Sequence, residues 1–482
     1  MKKIRNSLWA CLCLPLVFAG CATSAPPRAI DDVRATAPAQ WNAPLQAAAS
    51  VTPQSPQLPH AGAMSDLSRW WQQQGDPLLV ELIDAAQAAS ATVAAAASRI
   101  AQARAAGVAA GAAMSPKLDL ATSAARTSTQ PPLPLGTTVQ AALQASWEVD
   151  LFGGLRAARD AAQARLEGAQ AGWHDARVSV AAETASQYFA LRACERQAAI
   201  LQAEATSRGE TSRLSELSAN AGFLAPATAA LARASAAEGS GRATQQRAQC
   251  ELNLKALVML TALPEADLRA RIAGAPSGPL RLAGIAIDSL PAQTLAQRPD
   301  LFAAERNVTA ASADVGAAQA QRYPRLGLNG SIGAASFRSD GVTTNLSTWS
   351  IGPLALTVPL FDGGARAANV DAAQARYDEA VINYRALARQ AVREVEEALV
   401  RLQSVAAREA DARIAAEGYR ASFNGTESRY QNGMSNLVEL EDARRTRLAA
   451  ELALVTLEQE RVAAWIALYR AAGGGWNTAA QR

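Results

Sequence analysis

Histidine is almost missing from this chain: His60 and His174 are the only two. A histidine-based metal centre therefore has no ligand set. Aromatic residues make up only 5% of the sequence, and long windows contain neither glycine nor proline. A chain rich in alanine and poor in breakers argues against ordinary globular domains. It favours extended helices, whose small side chains let neighbours approach closely. Charge of one sign is also lacking. The formal net charge is +3, with Lys2, Lys3 and Arg5 in the first few residues; with these set aside the chain is near neutral and offers no electrostatic footprint for nucleic acid. There is no Gly-x-Ser-x-Gly elbow, no His-Glu-x-x-His and no phosphate-binding loop. The scattered Asp, Glu and Arg residues read as solvated helix faces rather than general acid/base pairs. The expectation is a protein that is not an enzyme and needs no cofactor or structural metal.

What the chain has instead is repetition. The run Asp160-Ala161-Ala162-Gln163-Ala164-Arg165 recurs as Asp371-Ala372-Ala373-Gln374-Ala375-Arg376, an offset of 211 residues. Each copy follows a strand-like segment ending in Phe and glycines, Trp147 to Gly154 and Leu356 to Gly364. The same offset places Gly222 on Gly433 and Arg233 on Arg444. A period this long is one half of a duplicated molecule rather than a solenoid unit.

Within each half the pattern predicts a helix, two strands, a very long helix and a further helix. Asp76-Pro77 reads as a helix start with Pro at the first turn, and helices are expected over Asp84 to about Ala113, Leu155 to Asn220, Ala227 to Leu263, Pro291 to Gln321, Ala365 to Tyr430 and Leu437 to Ala472. Strands are expected at about 117–125, 139–152, 325–337 and 349–361. Loops are expected from Thr127 to Thr138 and from Arg338 to Thr348, with an irregular stretch from Ile272 to Pro291. The second strand shows its two faces clearly: Val139, Leu143, Trp147 and Leu151 alternate with Gln140, Gln144, Glu148 and Asp150. One greasy and one polar face is what a water-filled membrane barrel requires. Four strands cannot close a barrel, and open edges do not survive in lipid. Three copies supply twelve strands, so a homotrimer follows from the strand count.

The N-terminus combines a basic start with a short apolar run, Leu8 to Phe18, too short to span a bilayer. It ends in Phe18-Ala19-Gly20-Cys21, which resembles the lipobox of bacterial lipoproteins, with Phe18 where Leu is usual. The resemblance implies cleavage before Cys21 and lipidation of its thiol and new amine, while Ala22 implies the outer membrane. The alternative is an ordinary signal peptide with a later cleavage site. Residues 22 to 65, rich in Ala, Pro, Ser and Gln, read as a tether.

Taken together, Ala19-Gly20-Cys21, Trp147-Glu148-Val149-Asp150-Leu151-Phe152-Gly153, Pro359-Leu360-Phe361-Asp362-Gly363-Gly364 and Tyr430-Gln431-Asn432-Gly433 with Glu439-Leu440-Glu441-Asp442-Ala443 resemble the outer membrane efflux protein family. These are the TolC-like channel-tunnels, and the lipidated NodT-type outer membrane factors among them. The resemblance implies an all-α periplasmic helical tunnel plus a transmembrane β-barrel, the internally duplicated protomer contributing four strands to a trimeric twelve-stranded barrel. Expected parts are a lipoprotein signal (1–20), a lipidated tether and the start of the first helix (21–77), a first repeat (78–290), a second repeat (291–472) and a C-terminal tail (473–482). The implied function is the exit duct of a tripartite pump for drugs or other small toxic solutes. Its partners are a periplasmic membrane fusion adaptor, an inner-membrane pump of the resistance-nodulation-division type and the lipid bilayer. The outer-membrane duct of a type I protein secretion system is the alternative.

Three site expectations complete the reading. Gly222 and Gly433 interrupt helical patterns where a rod turns back, because a tight reversal needs positive φ. By resemblance these tips, with Phe223, Asn432 and Met434, face the adaptor; the bare alternative is a turn without a partner. Cys194 and Cys250 each lie 28 residues from Gly222, level on facing helices, so they form either a disulfide or two separate thiols. Glu439 and Asp442, three apart on one helical face, match acids that ring the periplasmic gate in the resembling family. Alternatively they pair within the chain with Arg429, Arg444 or Arg445.

Overall fold

The computed structural model describes residues 41–43, 69–128, 135–275, 280, 282, 284–285 and 295–476. The expected signal segment, Cys21, most of the tether and the end of the C-terminal tail lie outside the described residues. The elements run α1 (Pro77–Ala89), α2 (Ala91–Ala112), β1 (Lys117–Thr127), β2 (Gly136–Val149), α3 (Gly154–Asn220), α4 (Pro226–Thr261), α5 (Glu265–Gly274), α6 (Pro299–Ala320), β3 (Arg325–Ser339), β4 (Val342–Thr357), α7 (Ala365–Gln431) and α8 (Leu437–Ala471). Two compact units result. The first holds the described residues of Ala97–Ala171 and Phe302–Ala386, the second those of Thr36–Ala96, Gly172–Leu301 and Leu387–Arg482.

The first unit is built on one antiparallel sheet with strand order β1-β2-β3-β4. Residues directly opposite in such a ladder share a face. Leu120, Leu143, Ile332 and Trp349 form one row across the sheet, and Trp147, Leu328 and Leu354 form another. All seven are exposed. The opposite face carries the row Asp119, Gln144, Ser331 and Ser350, with the two serine hydroxyls 2.9 Å apart. A register shift between Leu328 and Gly330 lets β4 run from Leu354 to Ile351 while β3 advances two residues. The extra residue switches the apolar positions of β4 from even to odd numbers, so Leu354 and Ile351 stay on one face.

Both strand-to-helix junctions are capped by an aspartate. Asp150 accepts from the backbone of Leu155 and Arg156 at 3.1 and 2.9 Å. Asp362 accepts from the backbone of Gly364 and Arg366 at 3.0 and 3.1 Å. The Arg366 backbone bond leads the causes that hold the Asp362 carboxyl below its usual range. Beyond the junctions the helices pack alanine on alanine: Ala161 and Ala164 of α3 against Ala310 of α6, all nearly inaccessible. A Cβ on Gly154 would come within 2.8 Å of the Ala320 Cβ, so the two helices need glycine there.

In the second unit the largest core gathers around Trp70, which stacks on Tyr469 with ring centroids 4.9 Å apart. Tyr188 donates to Asp76 (2.8 Å), whose other oxygen caps α1 by accepting from the Leu79 backbone (3.1 Å). The described piece of the N-terminal segment docks on α7, where the backbone N–H groups of Asn42 and Ala43 each donate to Glu396 at 2.6 Å.

Several expectations are corrected. The first helix starts at Pro77, as the Asp76-Pro77 pair implies, but it breaks at Ser90, which leaves the helical region (ψ 119°) and whose hydroxyl accepts from the Val93 backbone N–H. Arg338 to Thr348 is no loop: β3 and β4 extend to Ser339 and Val342, joined only by Asp340 and Gly341 at φ 49° and 81°. Positive φ at both residues makes the tight reversal that suits the strand twist. β2 starts at Gly136, not 139, and β2 and β4 end at Val149 and Thr357. A helix, α5, follows Pro264 where none was expected.

Candidate functional site

The second unit's helices form two hairpins, α3–α4 turning at Gly222 and α7–α8 turning at Gly433. Both turns use the same hydrogen bonds. Phe223 N–H donates to Ser218 and Gly222 N–H to Ala219, at 2.9 and 3.0 Å. Met434 donates to Arg429 and Gly433 to Tyr430, at 2.8 and 3.0 Å. This closure requires a left-handed residue after the last helical turn, supplied by Gly222 (φ 80°) and Gly433 (φ 74°). The residue after each glycine projects outward: Phe223 is 87% and Met434 69% exposed. Asn432 is held by its side chain, which donates to the Ser428 carbonyl at 2.7 Å.

The two turns lead into differently capped helices. Asn436 caps α8 by accepting from Glu439 N–H (2.9 Å), and the Glu439 carboxylate accepts from Asn436 (2.8 Å) and from Ser435 (2.5 Å). α4 begins at Pro226 with no side-chain cap. Glu439 and Asp442 are both exposed, and Asp442 pairs with Arg445 one turn on. They present an acidic surface whose partners all belong to the same turn or helix.

Cys194 of α3 and Cys250 of α4 are joined by a disulfide, Cα atoms 5.5 Å apart. Facing helices that leave a common turn stay in step residue by residue, which brings both sulfurs to one level.

A second cluster was not anticipated. Arg444, 1% exposed, donates to Glu441 (2.7 Å), Ser207 (2.9 Å) and Thr211 (2.8 Å). Glu441 also accepts from Ser235 (2.7 Å) and faces Arg208 at 3.2 Å. Arg208 in turn bonds Glu204 (2.9 Å), itself 1% exposed, and Arg447 closes the chain onto Glu204. Arg447 stacks over the Phe423 ring at 3.9 Å, with Arg444 at 5.9 Å from the same ring. The sequence held a signal for this cluster. Leu437, Leu440 and Leu448 mark the buried stripe of α8, and Arg444 stands where that stripe calls for another apolar residue.

Further from the tips a polar cavity of about 100 Å³ is lined by Asp175, Arg298, Asp300, Glu394 and Arg470 among others. Arg298 is satisfied there by Asp300 (2.7 Å) and Glu394 (2.8 Å). Burial, followed by the charges of Asp300 and Glu394, raises the Asp175 pKa against the opposing pull of Arg298 and Arg470. Among the described residues no group of His, Cys, Asp and Glu is arranged to hold a metal ion.

Comparison with known proteins gives the class to which these hairpins and this two-faced sheet belong. The family model for outer membrane efflux proteins matches residues 82–262 and 290–474. Outer membrane protein OprJ of Pseudomonas aeruginosa is 32% identical over 339 residues, 69% of either chain. Solvent efflux pump outer membrane protein SrpC of Pseudomonas putida is 28% identical over 343 residues, 70% of this chain and 71% of SrpC. The crystal structure of the Campylobacter jejuni CmeC outer membrane channel superposes with a TM-score of 0.77 at 24% identity, covering 85% of this chain and 88% of CmeC. The chain belongs to the outer membrane efflux protein family. It is an outer-membrane channel related to factors of the NodT, OprJ and CusC type, a transport conduit and not an enzyme.

Proposed function

We propose that three copies of this chain close a twelve-stranded barrel and form the exit duct of a tripartite efflux pump. The observation that carries the reading is the four-stranded sheet with an apolar face, a polar face and two edge strands, β1 and β4. In lipid each unpaired edge group costs several kcal/mol, and pairing β4 of one protomer with β1 of the next removes every edge. The apolar rows then face lipid and the Asp119–Gln144–Ser331–Ser350 row faces a water-filled lumen.

The hairpin tips dock a periplasmic adaptor, with Phe223, Asn432 and Met434 beside Gly222 and Gly433 as the contacting residues. Exposed apolar side chains on a rigid turn support this. An inner-membrane pump of the resistance-nodulation-division class delivers the cargo, drugs or other small toxic solutes; the name of SrpC, a solvent efflux pump component, supports that cargo class. Glu439 and Asp442 from three protomers ring the periplasmic entrance, where six carboxylates favour cations and repel anions. A lipid on Cys21 anchors the tether in the outer membrane. The test is complementation of a strain deleted for this gene: restored export of a fluorescent pump substrate supports the reading, and export identical to the empty vector contradicts it.

A further inference from the structure

The apolar face of the sheet changes character at one end. It begins beside the helices with the row Val149–Leu326–Leu356 and finishes at the row Arg126–Thr137–Arg338–Thr343. Six charged residues lie in the four strands. Side chains alternate between faces along a strand, and the register places Lys117, Asp119, Glu148 and Arg325 on the polar face. Arg126 and Arg338 are the two charged strand residues on the apolar face, and they share one row. Both are exposed, and neither makes an ion pair or hydrogen bond among the described residues.

Their level follows from the strand geometry. Val149 and Thr137 stand twelve residues apart on β2, roughly 40 Å along the strand. With the usual tilt of a membrane strand this is about 30 Å along the bilayer normal, against an apolar band of about 25 Å. The arginine row therefore lies just past the acyl chains, at the level of the headgroups. The helices leave from the other end of the sheet, so these headgroups belong to the outer leaflet. The glycolipid of that leaflet carries phosphates on its sugar headgroup.

The row is also shaped for a phosphate. Arg126 and Arg338 both pair with Thr137, which puts their backbones two strand spacings apart, roughly 9.5 Å. Two guanidinium groups mounted at that distance can close on one phosphate, each through paired N–H donors. Thr137, half-buried between them, adds a hydroxyl donor. The end of the sheet is held in place. The Ser339 hydroxyl donates to the Leu135 carbonyl at 3.0 Å, and only Asp340 and Gly341 join β3 to β4. A solute in the lumen has no access to this face, so attraction of cargo does not account for the pair.

We propose that Arg126, Thr137 and Arg338 form a binding site on the lipid-facing rim for a phosphate of an outer-leaflet glycolipid headgroup, one site for each protomer. This rests on the trimeric-duct reading above. The bound headgroup fixes the depth of the barrel at its outer edge, where the small side chains of Ala124 and Ser336 in the row below bury little in the acyl chains.

The test is native mass spectrometry of full-length trimer, stripped of lipid in detergent and titrated with diphosphoryl lipid A. The unmodified trimer should take up three molecules. Arg126→Gln with Arg338→Gln should weaken uptake about thirtyfold, a factor of about five for each arginine at an anionic surface. Unchanged uptake would overturn the proposal. Lys117→Gln with Arg325→Gln removes two like charges from the polar face and should leave uptake at the parental value. An equal loss in that variant would overturn the proposal by reducing it to net charge. Equal affinity for the same lipid without its phosphates, or for phosphatidylglycerol, would do so as well. Displacement of the lipid by an equal concentration of inorganic phosphate would make this a free-phosphate site and overturn the lipid source. Should Arg126→Gln with Arg338→Gln not assemble, the dephosphorylated lipid on unmodified trimer decides alone. A spectrum without a three-chain species is a different result, which removes the duct reading itself.

Discussion

Cys194 and Cys250 stand with Cα atoms 5.5 Å apart and joined through sulfur, each 28 residues from the turn at Gly222. The bond closes a long loop in the unfolded chain, and such closure contributes about 2–4 kcal/mol. Cys194→Ser with Cys250→Ser should lower denaturation resistance by that amount, and reductant should bring the unmodified protein down to the variant's curve. Identical unfolding curves with and without reductant would show that the hairpin is held by packing alone.

Gly433 offers a separable test of the tip. A Cβ there meets nothing within 4 Å, yet its φ of 74° disfavours any side chain. Gly433→Leu should therefore cost about 1–2 kcal/mol locally while the trimer still assembles. Cross-linking to the adaptor and substrate export should both fall to background. Unchanged export in an assembled trimer would remove the tip from the docking surface.

The duplicated halves have diverged at the matched pair Arg233 and Arg444. Arg444 is 1% exposed within its ion cluster, whereas its counterpart Arg233 is 69% exposed and 3.9 Å from Glu216. Arg444→Ala takes from Glu441 its nearer cationic partner and should cost about 3–5 kcal/mol. Arg233→Ala should change stability by less than about 0.5 kcal/mol. Chemical denaturation followed by circular dichroism compares them directly, and equal costs would contradict the buried-cluster account.

Asp175 gives a pH dependence. Burial is the first cause raising its pKa above the usual carboxyl value, so the folded protein holds this proton more tightly than the unfolded chain. The stability it contributes is present below the unfolded carboxyl range and is lost as pH rises through the folded pKa. Asp175→Asn removes that loss: its melting temperature should exceed the parent's at pH 7 and match it near pH 3. A difference of the same size at both pH values would assign the effect to packing.

The long helices, the two-faced β2 strand and the positions of both tips were legible because each rests on a local rule: breaker-free alanine windows, period-two alternation, and glycine at a reversal. The β3–β4 hairpin was misread because Thr343, Thr344, Asn345 and Ser347 are polar or small on both faces, which erases the alternation. The Asp340-Gly341 pair was the surviving signal, since those residue types accept positive φ. The break at Ser90 was hidden because helical periodicity runs through it, and only the serine cap marks the restart. α5 was missed because Pro264 ends one helix and also precedes the next. The ion cluster left one faint sequence signal. Arg444, Arg445 and Arg447 are alike as letters, and Arg444 is set apart only by its place on the stripe of Leu437, Leu440 and Leu448, which the packing of α8 buries while Arg445 stays solvated.

The most direct measurement of the central claim is a single-channel recording on full-length protein purified from the outer membrane, with its mass determined in the same detergent. The account predicts a species of three chains that inserts as one conducting unit and prefers cations. Glu439→Gln with Asp442→Asn should reduce that preference without changing the mass. A monomer, or a trimer with no conductance under any voltage, would contradict a barrel closed by four strands from each of three protomers.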